Sequence, residues 1–248
     1  MPRLTAIILT YNETNNIVAC IESVGFADAV LVLDGFSRDD TTAKARALGA
    51  EVIQHQFTGY AGQRNAALDA VKGSADWVLF VDADERVTAE LAQEVRESIA
   101  STDYVAYRIP RYNYIFGKLT RATGWYPDYQ TRLLKVGATH YEREVHEIVV
   151  VDGAEGTLKE HLIHYNYANV TQFLEKQRKY AAIDAQILRD QGIRPRPQNY
   201  ILQPWRQFWR RFVTLKGYRD GRHGLRLSAL MAWYEFRKYK VLGQLWKM

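Results

Sequence analysis

The run Asp82-Ala83-Asp84-Glu85 follows directly on the short apolar segment 77–81. A segment this short and apolar is typical of a buried strand. It would deliver two carboxylates, two residues apart, to the carboxyl edge of a sheet, where open α/β folds bind their ligands. Carboxylates at this spacing suit a hard divalent cation that keeps open positions for phosphate oxygens. The alternative is a polar turn in which Asp84 or Glu85 lies near the cap of a helix that begins at about Thr88.

Strand and helix signals alternate through the first 100 residues, which predicts a parallel sheet with right-handed crossovers. Polar segments follow the strands, and because the carboxyl ends of parallel strands share one edge, these segments should lie together. Each one alone is explained equally well as a helix cap or a solvated charge. Besides 82–85, the polar segments are Thr10-Tyr11-Asn12-Glu13, the run 34–41 with Asp34, Ser37 and Asp39, and Gly59-Tyr60-Ala61-Gly62-Gln63-Arg64-Asn65, whose glycines and arginine suit an anion.

Several protein classes are disfavoured by what the sequence lacks. No G-x-G-x-x-G follows the first strand and no G-x-x-x-x-G-K-[ST] is present, which disfavours a Rossmann dehydrogenase and a P-loop NTPase. The single cysteine, Cys20, excludes an internal disulfide framework and a cysteine-based zinc site, so a reducing compartment fits. We see no signal peptide and no run of 18 apolar residues, and therefore expect neither secretion nor a transmembrane helix.

Charge is distributed unevenly along the chain. Residues 194–248 hold 13 Lys and Arg against 2 acidic residues, whereas residues 1–193 hold 20 basic and 26 acidic residues. A mildly acidic body with a strongly basic, aromatic tail points to an anionic surface as a partner.

Taken in order, the four polar segments resemble those of the inverting family 2 glycosyltransferases with the GT-A fold. Gly124-Trp125-Tyr126-Pro127-Asp128 and Val145-His146-Glu147 further resemble motifs of lipopolysaccharide-core β-glucosyltransferases. The resemblance implies an α/β protein whose Rossmann-like, mostly parallel sheet is flanked by helices, with a C-terminal helical, basic aromatic appendage. We expect a catalytic domain at residues 1–168, with nucleotide-sugar binding in 1–100 and the acceptor side in 101–168, followed by a helical region at 169–248.

The resemblance also implies roles for the donor site. Asp84 would hold Mg²⁺ or Mn²⁺ on the donor diphosphate. Related enzymes often take a further ligand from a late histidine, which here would be His164, although a strand-edge histidine without metal is the alternative. Asp82 would lie near the ribose and Arg64 near the nucleotide or diphosphate, with Tyr11, Glu13 and Asp34 lining the base. The full set of expected donor-binding residues is Thr10, Tyr11, Asn12, Glu13, Asp34, Ser37, Asp39, Gln63, Arg64, Asp82, Ala83 and His146.

An inverting transfer needs one carboxylate that takes the proton of the acceptor hydroxyl. Glu147 is our first candidate for this catalytic base and Asp128 is the second. The alternative for Glu147 is a surface acid in a basic neighbourhood, with Arg143 and His146 beside it. Glycosidases also use two carboxylates, but a nucleotide site at the strand ends has no role in their scheme.

The tail predicts a helix at 169–188 capped by Asn169, a linker at 192–197, a helix that opens near Pro204 and a last helix at about 225–245. The last two carry aromatic faces edged by arginine and lysine, which suits helices lying on an anionic membrane surface. The alternatives are packing on the catalytic domain or a dimer face. Nucleic acid is not expected, since no nucleic-acid-binding motif is present.

We therefore expect a metal-dependent inverting hexosyltransferase. Its donor would be a nucleotide-sugar, with UDP-glucose preferred, and its acceptor a lipopolysaccharide-core or other glycolipid at the cytoplasmic face of the inner membrane. Two alternatives remain open: a polyprenyl-phosphate glycosyltransferase, and a nucleotide-binding scaffold that has lost turnover.

Overall fold

A computed structural model of the 248-residue chain describes residues 1–143 and 148–247. The predicted alternation of strands and helices over the first 100 residues is confirmed. The strands are β1 Leu4–Thr10, β2 Ala29–Asp34, β3 Glu51–Gln54, β4 Trp77–Asp82, β5 Glu85–Val87, β6 Tyr104–Ile115, β7 Lys118–Thr120, β8 Tyr129–Lys135, β9 Thr139–Glu142, β10 Ile148–Val151, β11 Ala154–Thr157 and β12 Leu162–Tyr167. The helices are α1 Ile17–Ser23, α2 Thr41–Ala47, α3 Tyr60–Ala70, α4 Ala89–Ala100, α5 Val170–Asp190, α6 Asn199–Trp209 and α7 Gly221–Leu245.

The strand β1 lies inside the parallel part of the sheet, where it pairs with β2 on one side and β4 on the other. Its sequence is almost entirely apolar because helices cover both faces of the sheet. The register sets Thr10 opposite Asp34 and Leu9 opposite Asp82. The polar segments that follow these three strands are thereby brought to one edge, as the sequence predicts.

Antiparallel strands extend this parallel core. β8 pairs with β4, and β6 pairs with β8. The short strand β5 pairs with β12 in a register that sets His164 opposite Glu85. This strand was missing from the sequence interpretation, in which residues 82–87 form a strand end and a turn. The helix after it begins where predicted, and the Thr88 hydroxyl caps it by accepting a hydrogen bond from the Leu91 amide at 3.2 Å.

The C-terminal helices agree with the sequence in number, but the last two of the three begin earlier than predicted. The Asn169 side chain caps α5 by accepting from the Gln172 amide at 2.9 Å, as expected. The helix predicted to open near Pro204 instead begins at Asn199, with Pro204 inside it. Pro204 is the sixth of the eleven residues of this helix, so it removes the hydrogen bond that position 204 would otherwise donate to the carbonyl of Tyr200.

The last helix, α7, begins at Gly221, about four residues before the predicted start. Gly224 permits this start, because a Cβ there would collide with the carbonyl of Gly217 in the preceding 3₁₀ turn. Because a glycine weakens a helix, Gly224 predicts a helix boundary in the sequence. In the structure it instead allows α7 to pack closely on the preceding turn.

The chain forms two compact units. The first comprises Met1–Arg111 and Asp128–His164, and the second comprises Tyr112–Pro127 and Tyr165–Met248. The first unit has a core on each face of the sheet, and the second has its own core built from α5, α7 and the end of β6. The predicted division of function at residue 168 stays a prediction.

Among the described residues, no helix is both long enough and apolar enough to span a membrane.

Phe173 is the main anchor of the second core, since its side chain is fully buried and its ring meets those of Phe116 and Tyr167. Replacing Phe173 with Ala should lower the free energy of unfolding by about 3–5 kcal/mol, because a large cavity remains. Urea denaturation of the variant measures this loss. Tyr180→Ala removes an exposed ring from the same helix and serves as the control. Equal losses for both variants would contradict this description of the core.

Candidate active site

Asp34 ties together the ends of the first strands. Its side chain is fully buried at the end of β2. One carboxylate oxygen accepts from the hydroxyls of Thr10, at 3.1 Å, and Ser37, at 2.5 Å. The other accepts from the Ser37 amide at 2.8 Å and from the Gln54 side chain at 3.2 Å. Asp34 therefore holds the loops that follow β1 and β2 in position, and both its oxygens are engaged within the protein.

The loop after β1 presents an aromatic ring to solvent. The Asn12 amide donates to the Ser37 hydroxyl at 2.8 Å, and the Asn12 side chain accepts from the Arg38 amide at 2.8 Å. These bonds hold the backbone of the loop against the loop after β2. The neighbouring Tyr11 is 58% exposed and Phe36 is 52% exposed, so two rings are accessible at this edge. Exposed rings of this kind can stack on a planar base.

Asp39 makes the next connection along the same edge. Its carboxylate accepts from the Thr14 amide at 3.2 Å and from both the amide and the hydroxyl of Thr41. The hydrogen bond from the Thr41 hydroxyl is the main reason that the pKa of Asp39 is lowered. The Thr41 hydroxyl also accepts from the Glu13 amide at 2.8 Å. The segment 10–13 is thus fixed by Asp34, Ser37 and Thr41.

Arg64 lies inside the protein. Its side chain is buried, with the guanidinium 5.1 Å from the ring centroid of Phe80 and 5.5 Å from that of Tyr141. Its Nη2 donates to Asp82 Oδ1 at 3.2 Å. The adjacent Gln63 donates to the carbonyl of His55 at 3.0 Å. Both residues of this predicted anion site therefore have structural contacts, and Arg64 belongs with Asp82.

Asp82 and Glu85 form an ion-pair network with two arginines from later strands. Arg132 on β8 contacts both oxygens of Asp82 and reaches Glu85 Oε1 at 3.3 Å. Arg111 on β6 donates to the same Glu85 oxygen at 2.8 Å and to Asp128 Oδ2 at 2.7 Å and 3.0 Å. The other oxygen of Glu85 accepts from the Asp82 amide at 2.9 Å. We call this set, with Arg64, the arginine network.

The arginine network keeps Asp82 ionised. Burial by itself would raise the pKa of Asp82, but the charges of Arg132, Arg64 and Arg111 outweigh it and hold the pKa well below its usual range. Burial likewise disfavours the charge on Arg132, yet Asp82 and Glu85 raise its pKa. Glu85 is fully buried, whereas the side chain of Asp82 is 31% exposed. Of these two carboxylates, Asp82 is therefore the one that can touch a ligand directly.

Asp84 lies outside the arginine network and meets His164 instead. His164 Nε2 is 3.5 Å from Asp84 Oδ2, because β12 pairs with β5 directly after the acidic turn. Two ligands about 2.1 Å from one ion and at right angles lie about 3 Å apart, so a carboxylate and an imidazole at this separation fit a shared cation. Among the described residues, including this site, no group of three or more His, Cys, Asp or Glu side chains is placed to hold a metal. A two-ligand site leaves positions for phosphate oxygens.

Of the two candidate bases, Asp128 lies within the described residues and Glu147 does not. His146 also lies outside the described residues. Asp128 Oδ2 accepts two hydrogen bonds from Arg111, and its Oδ1 accepts from the Gln130 side chain at 3.0 Å. Both oxygens of Asp128 are thus engaged by neighbouring side chains, which opposes a role for Asp128 as a base.

An open cavity of about 410 Å³ borders the arginine network in the first unit. Its size is in the range of cavities that bind small ligands. The side chains of Arg64 and Arg132 form part of its wall. The remaining lining residues are Tyr129, Gln130, Thr131, Tyr141, Ile148, Val149, Val151 and Glu155.

No functional role was expected from the sequence for Glu85, Arg111 or Arg132. Glu85 was weighed only as a residue near a helix cap. Arg111 and Arg132 stand in strands with apolar neighbours, and a charge in such a strand needs a partner. That placement is the signal in the sequence that could have indicated their pairing with acidic residues.

The chain is similar to known proteins in both its sequence and its fold. The model of the family described as Glycosyl transferase family 2 matches residues 5–146. An uncharacterized glycosyltransferase of Rickettsia bellii (strain RML369-C) is 30% identical, over 98% of this chain and 87% of that protein. The lipopolysaccharide core biosynthesis glycosyltransferase LpsC of Rhizobium meliloti (strain 1021) is 28% identical, over 94% of this chain and 89% of that protein.

A solved structure supports the fold. The mannosyltransferase PcManGT from Pyrobaculum calidifontis, solved in complex with GDP-Man and Mn²⁺, superimposes with a TM-score of 0.55 and 16% identity. The match covers 99% of this chain and 88% of that one.

Arg132→Gln should destabilise the protein by about 3 kcal/mol at pH 7, because it leaves Asp82 and Glu85 with too little positive charge. The pKa of Asp82 is lowered in the folded state, so its ion pairs stabilise the protein above the unfolded pKa of about 4 and lose that effect as the pH falls toward the folded pKa. The loss on substitution should therefore be smaller at pH 3. Urea denaturation at both pH values measures it.

The control for this prediction is Arg108→Gln, which breaks the more exposed pair between Arg108 and Glu155. Its cost should stay below about 1 kcal/mol at either pH. If Arg132→Gln behaved like Arg108→Gln, the arginine network would not stabilise the fold.

Proposed function

Because the chain belongs to the Glycosyl transferase family 2 and is therefore a glycosyltransferase, we propose that it transfers a hexose from a nucleotide-sugar onto a glycolipid, with inversion at the anomeric carbon. The family and the GT-A fold, both predicted from the sequence, are confirmed. UDP-glucose is the proposed donor. A lipopolysaccharide-core acceptor is proposed because LpsC, which carries that role in its name, aligns along most of both chains.

The observation that carries this proposal is the pairing of Asp84 with His164 at the edge where the donor segments meet. These two side chains would hold Mg²⁺ or Mn²⁺. When bound there, the ion would neutralise the charge that develops on the departing diphosphate. The arginine network engages Asp82, so in this proposal Asp84 binds the ion and Asp82 does not.

The chain's own residues would orient the nucleotide. The exposed ring of Tyr11 would stack on the base, and Glu13 would contact its edge. The accessible part of Asp82 would accept a hydrogen bond from a ribose hydroxyl, as its ionised state favours. Asp34, Ser37 and Asp39 would support the site by fixing the backbone of residues 10–14.

The transfer itself needs one proton acceptor. In the proposed step, Glu147 takes the proton of the acceptor hydroxyl while that oxygen bonds to the anomeric carbon. The bond from the anomeric carbon to the phosphate oxygen breaks, and the nucleoside diphosphate leaves with the bonding electrons. Glu147 is preferred to Asp128 because Asp128 is engaged by Arg111 and Gln130.

The glycolipid acceptor also sets where the enzyme acts. Its sugar hydroxyls lie at a bilayer surface, so we place the protein at the inner face of the cytoplasmic membrane, held there peripherally. The basic composition of residues 194–248 supports this placement.

Asp84→Asn and His164→Ala should abolish the metal-dependent part of donor binding, because each removes one of the two proposed ligands. Thermal shift with a panel of nucleotide-sugars, with and without Mn²⁺, measures this. Asp40→Asn changes the same charge at an exposed position and should behave as wild type. Metal-dependent stabilisation that survives in both ligand variants would contradict the assignment.

Glu147→Gln should reduce kcat by about 10²–10⁴-fold with little change in donor affinity, since a general base contributes about that factor. Asp128→Asn should retain most of the activity, because the amide oxygen can still accept from Arg111. Product formation by mass spectrometry, with UDP-glucose and a lipopolysaccharide-core acceptor, measures both. The reverse outcome would assign the base to Asp128.

A further inference from the structure

The helix α6 presents an apolar stripe that the rest of the second unit leaves uncovered. None of its residues is buried. Ile201, Leu202, Trp205 and Trp209 are between 51% and 74% exposed. Positions 201, 205 and 209 follow one another at intervals of four residues, and position 202 lies three residues before 205 and seven before 209. These spacings place the four side chains on one face of the helix. We call these four residues the α6 stripe.

The tryptophans of the α6 stripe belong to an ordered stack of rings. The ring centroids of Trp205 and Phe208 are 6.1 Å apart, and those of Trp205 and Trp209 are 6.0 Å apart. Phe208 in turn stacks on Phe212 at 5.6 Å. The half-buried phenylalanines support the indoles from the protein side. Rings held in this way are pre-organised, so little conformational freedom is lost when they bind.

Exposed arginines adjoin the α6 stripe. Arg206 and Arg210 follow the two tryptophans directly, and both are exposed. With Trp205 and Trp209 they line an open groove of about 540 Å³. The next arginine, Arg211, turns inward and donates to the carbonyl of Thr123 at 2.7 Å. The groove therefore offers guanidinium groups beside indole rings, which is a setting for a phosphate that is attached to an apolar body.

The last helix does not share this character, although its sequence carries a similar mixture of residues. Leu227, Met231 and Tyr234 of α7 are buried in the core of the second unit, and Trp233 packs against that core. The Tyr234 hydroxyl donates to Asp184 on α5. Of the two aromatic helices predicted to face a membrane, α7 has its aromatic residues committed largely to packing, whereas α6 does not.

We propose that the α6 stripe and its two arginines form the surface by which this enzyme docks on an anionic lipid bilayer. Charge complementarity supports this partner, since residues 194–248 hold 13 basic and 2 acidic residues. Indoles prefer the headgroup level of a bilayer, and arginine stems can lie along apolar surface while their guanidinium groups meet lipid phosphates. This inference deepens the proposed function, because a glycolipid acceptor is presented at such a surface.

Vesicle binding by the full chain tests the proposal. The wild type should co-sediment with vesicles of phosphatidylcholine mixed with phosphatidylglycerol, and much less with phosphatidylcholine alone. Trp205→Ser with Trp209→Ser, and separately Arg206→Gln with Arg210→Gln, should weaken the binding on the order of tenfold or more. Only the arginine contribution should fall steeply as salt is added.

Arg178→Gln with Lys179→Gln is the matched control, since it removes the same charge from exposed positions on α5 and should leave binding close to that of wild type. Circular dichroism verifies folding of each variant. Brominated lipids should quench the tryptophan fluorescence of the wild type and of the arginine variant at saturating lipid, but that of the tryptophan variant much less.

Two results would overturn the inference: α6 variants that bind vesicles as the wild type does, and a wild type that fails to bind anionic vesicles. A tryptophan-dependent dimer in sedimentation equilibrium, without vesicle binding, would assign the α6 stripe to a second copy of the chain. Donor binding by thermal shift should be normal in every α6 variant. Vesicle binding without sugar transfer would refute only the proposed function, and transfer without vesicle binding only this inference.

Discussion

The arginine network is the constraint on which the rest of the candidate site depends. Three guanidinium groups from α3, β6 and β8 converge on two carboxylates, Asp82 at the end of β4 and Glu85 at the start of β5. Removing charges from water is costly, and the cost is offset only when each charge is paired and hydrogen-bonded. Asp82 and Glu85 satisfy that requirement because each contacts two of the arginines. The network therefore fixes the acidic turn at the point where the strands β1, β2 and β4 end.

The two aspartates of the acidic turn are separated by this arrangement into different environments. Asp82 is held in an ionised state by arginine, whereas Asp84 meets a histidine that arrives on β12. A carboxylate surrounded by guanidinium groups attracts a cation weakly, because their charges repel it. A carboxylate beside an imidazole keeps that ability. The chemistry that we propose follows from this difference: Asp84 and His164 serve the metal, and Asp82 serves the sugar of the nucleotide.

How far the sequence predicts this structure depends on the range of the interactions. The apolar runs of β1 and β4 and the Asn169 cap are local signals, and the strands and the cap lie where they were predicted. The burial of Glu85 depends on Arg111 and Arg132, which lie 26 and 47 residues further along the chain, so nothing near Glu85 indicates it. The start of α6 was misjudged because proline is typical of the first turn of a helix, whereas Pro204 lies in the middle of α6. Which aromatic helix stays exposed depends on tertiary packing, and α6 and α7 have similar compositions.

The most direct test of the account is the position of the metal. Crystals grown with Mn²⁺ and UDP would be measured at a wavelength where manganese scatters anomalously. We predict a single anomalous peak between the diphosphate and the side chains of Asp84 and His164, with Asp82 still bound to Arg132. A peak on Asp82, or an ordered diphosphate with no manganese beside Asp84, would contradict the division of roles between the two aspartates.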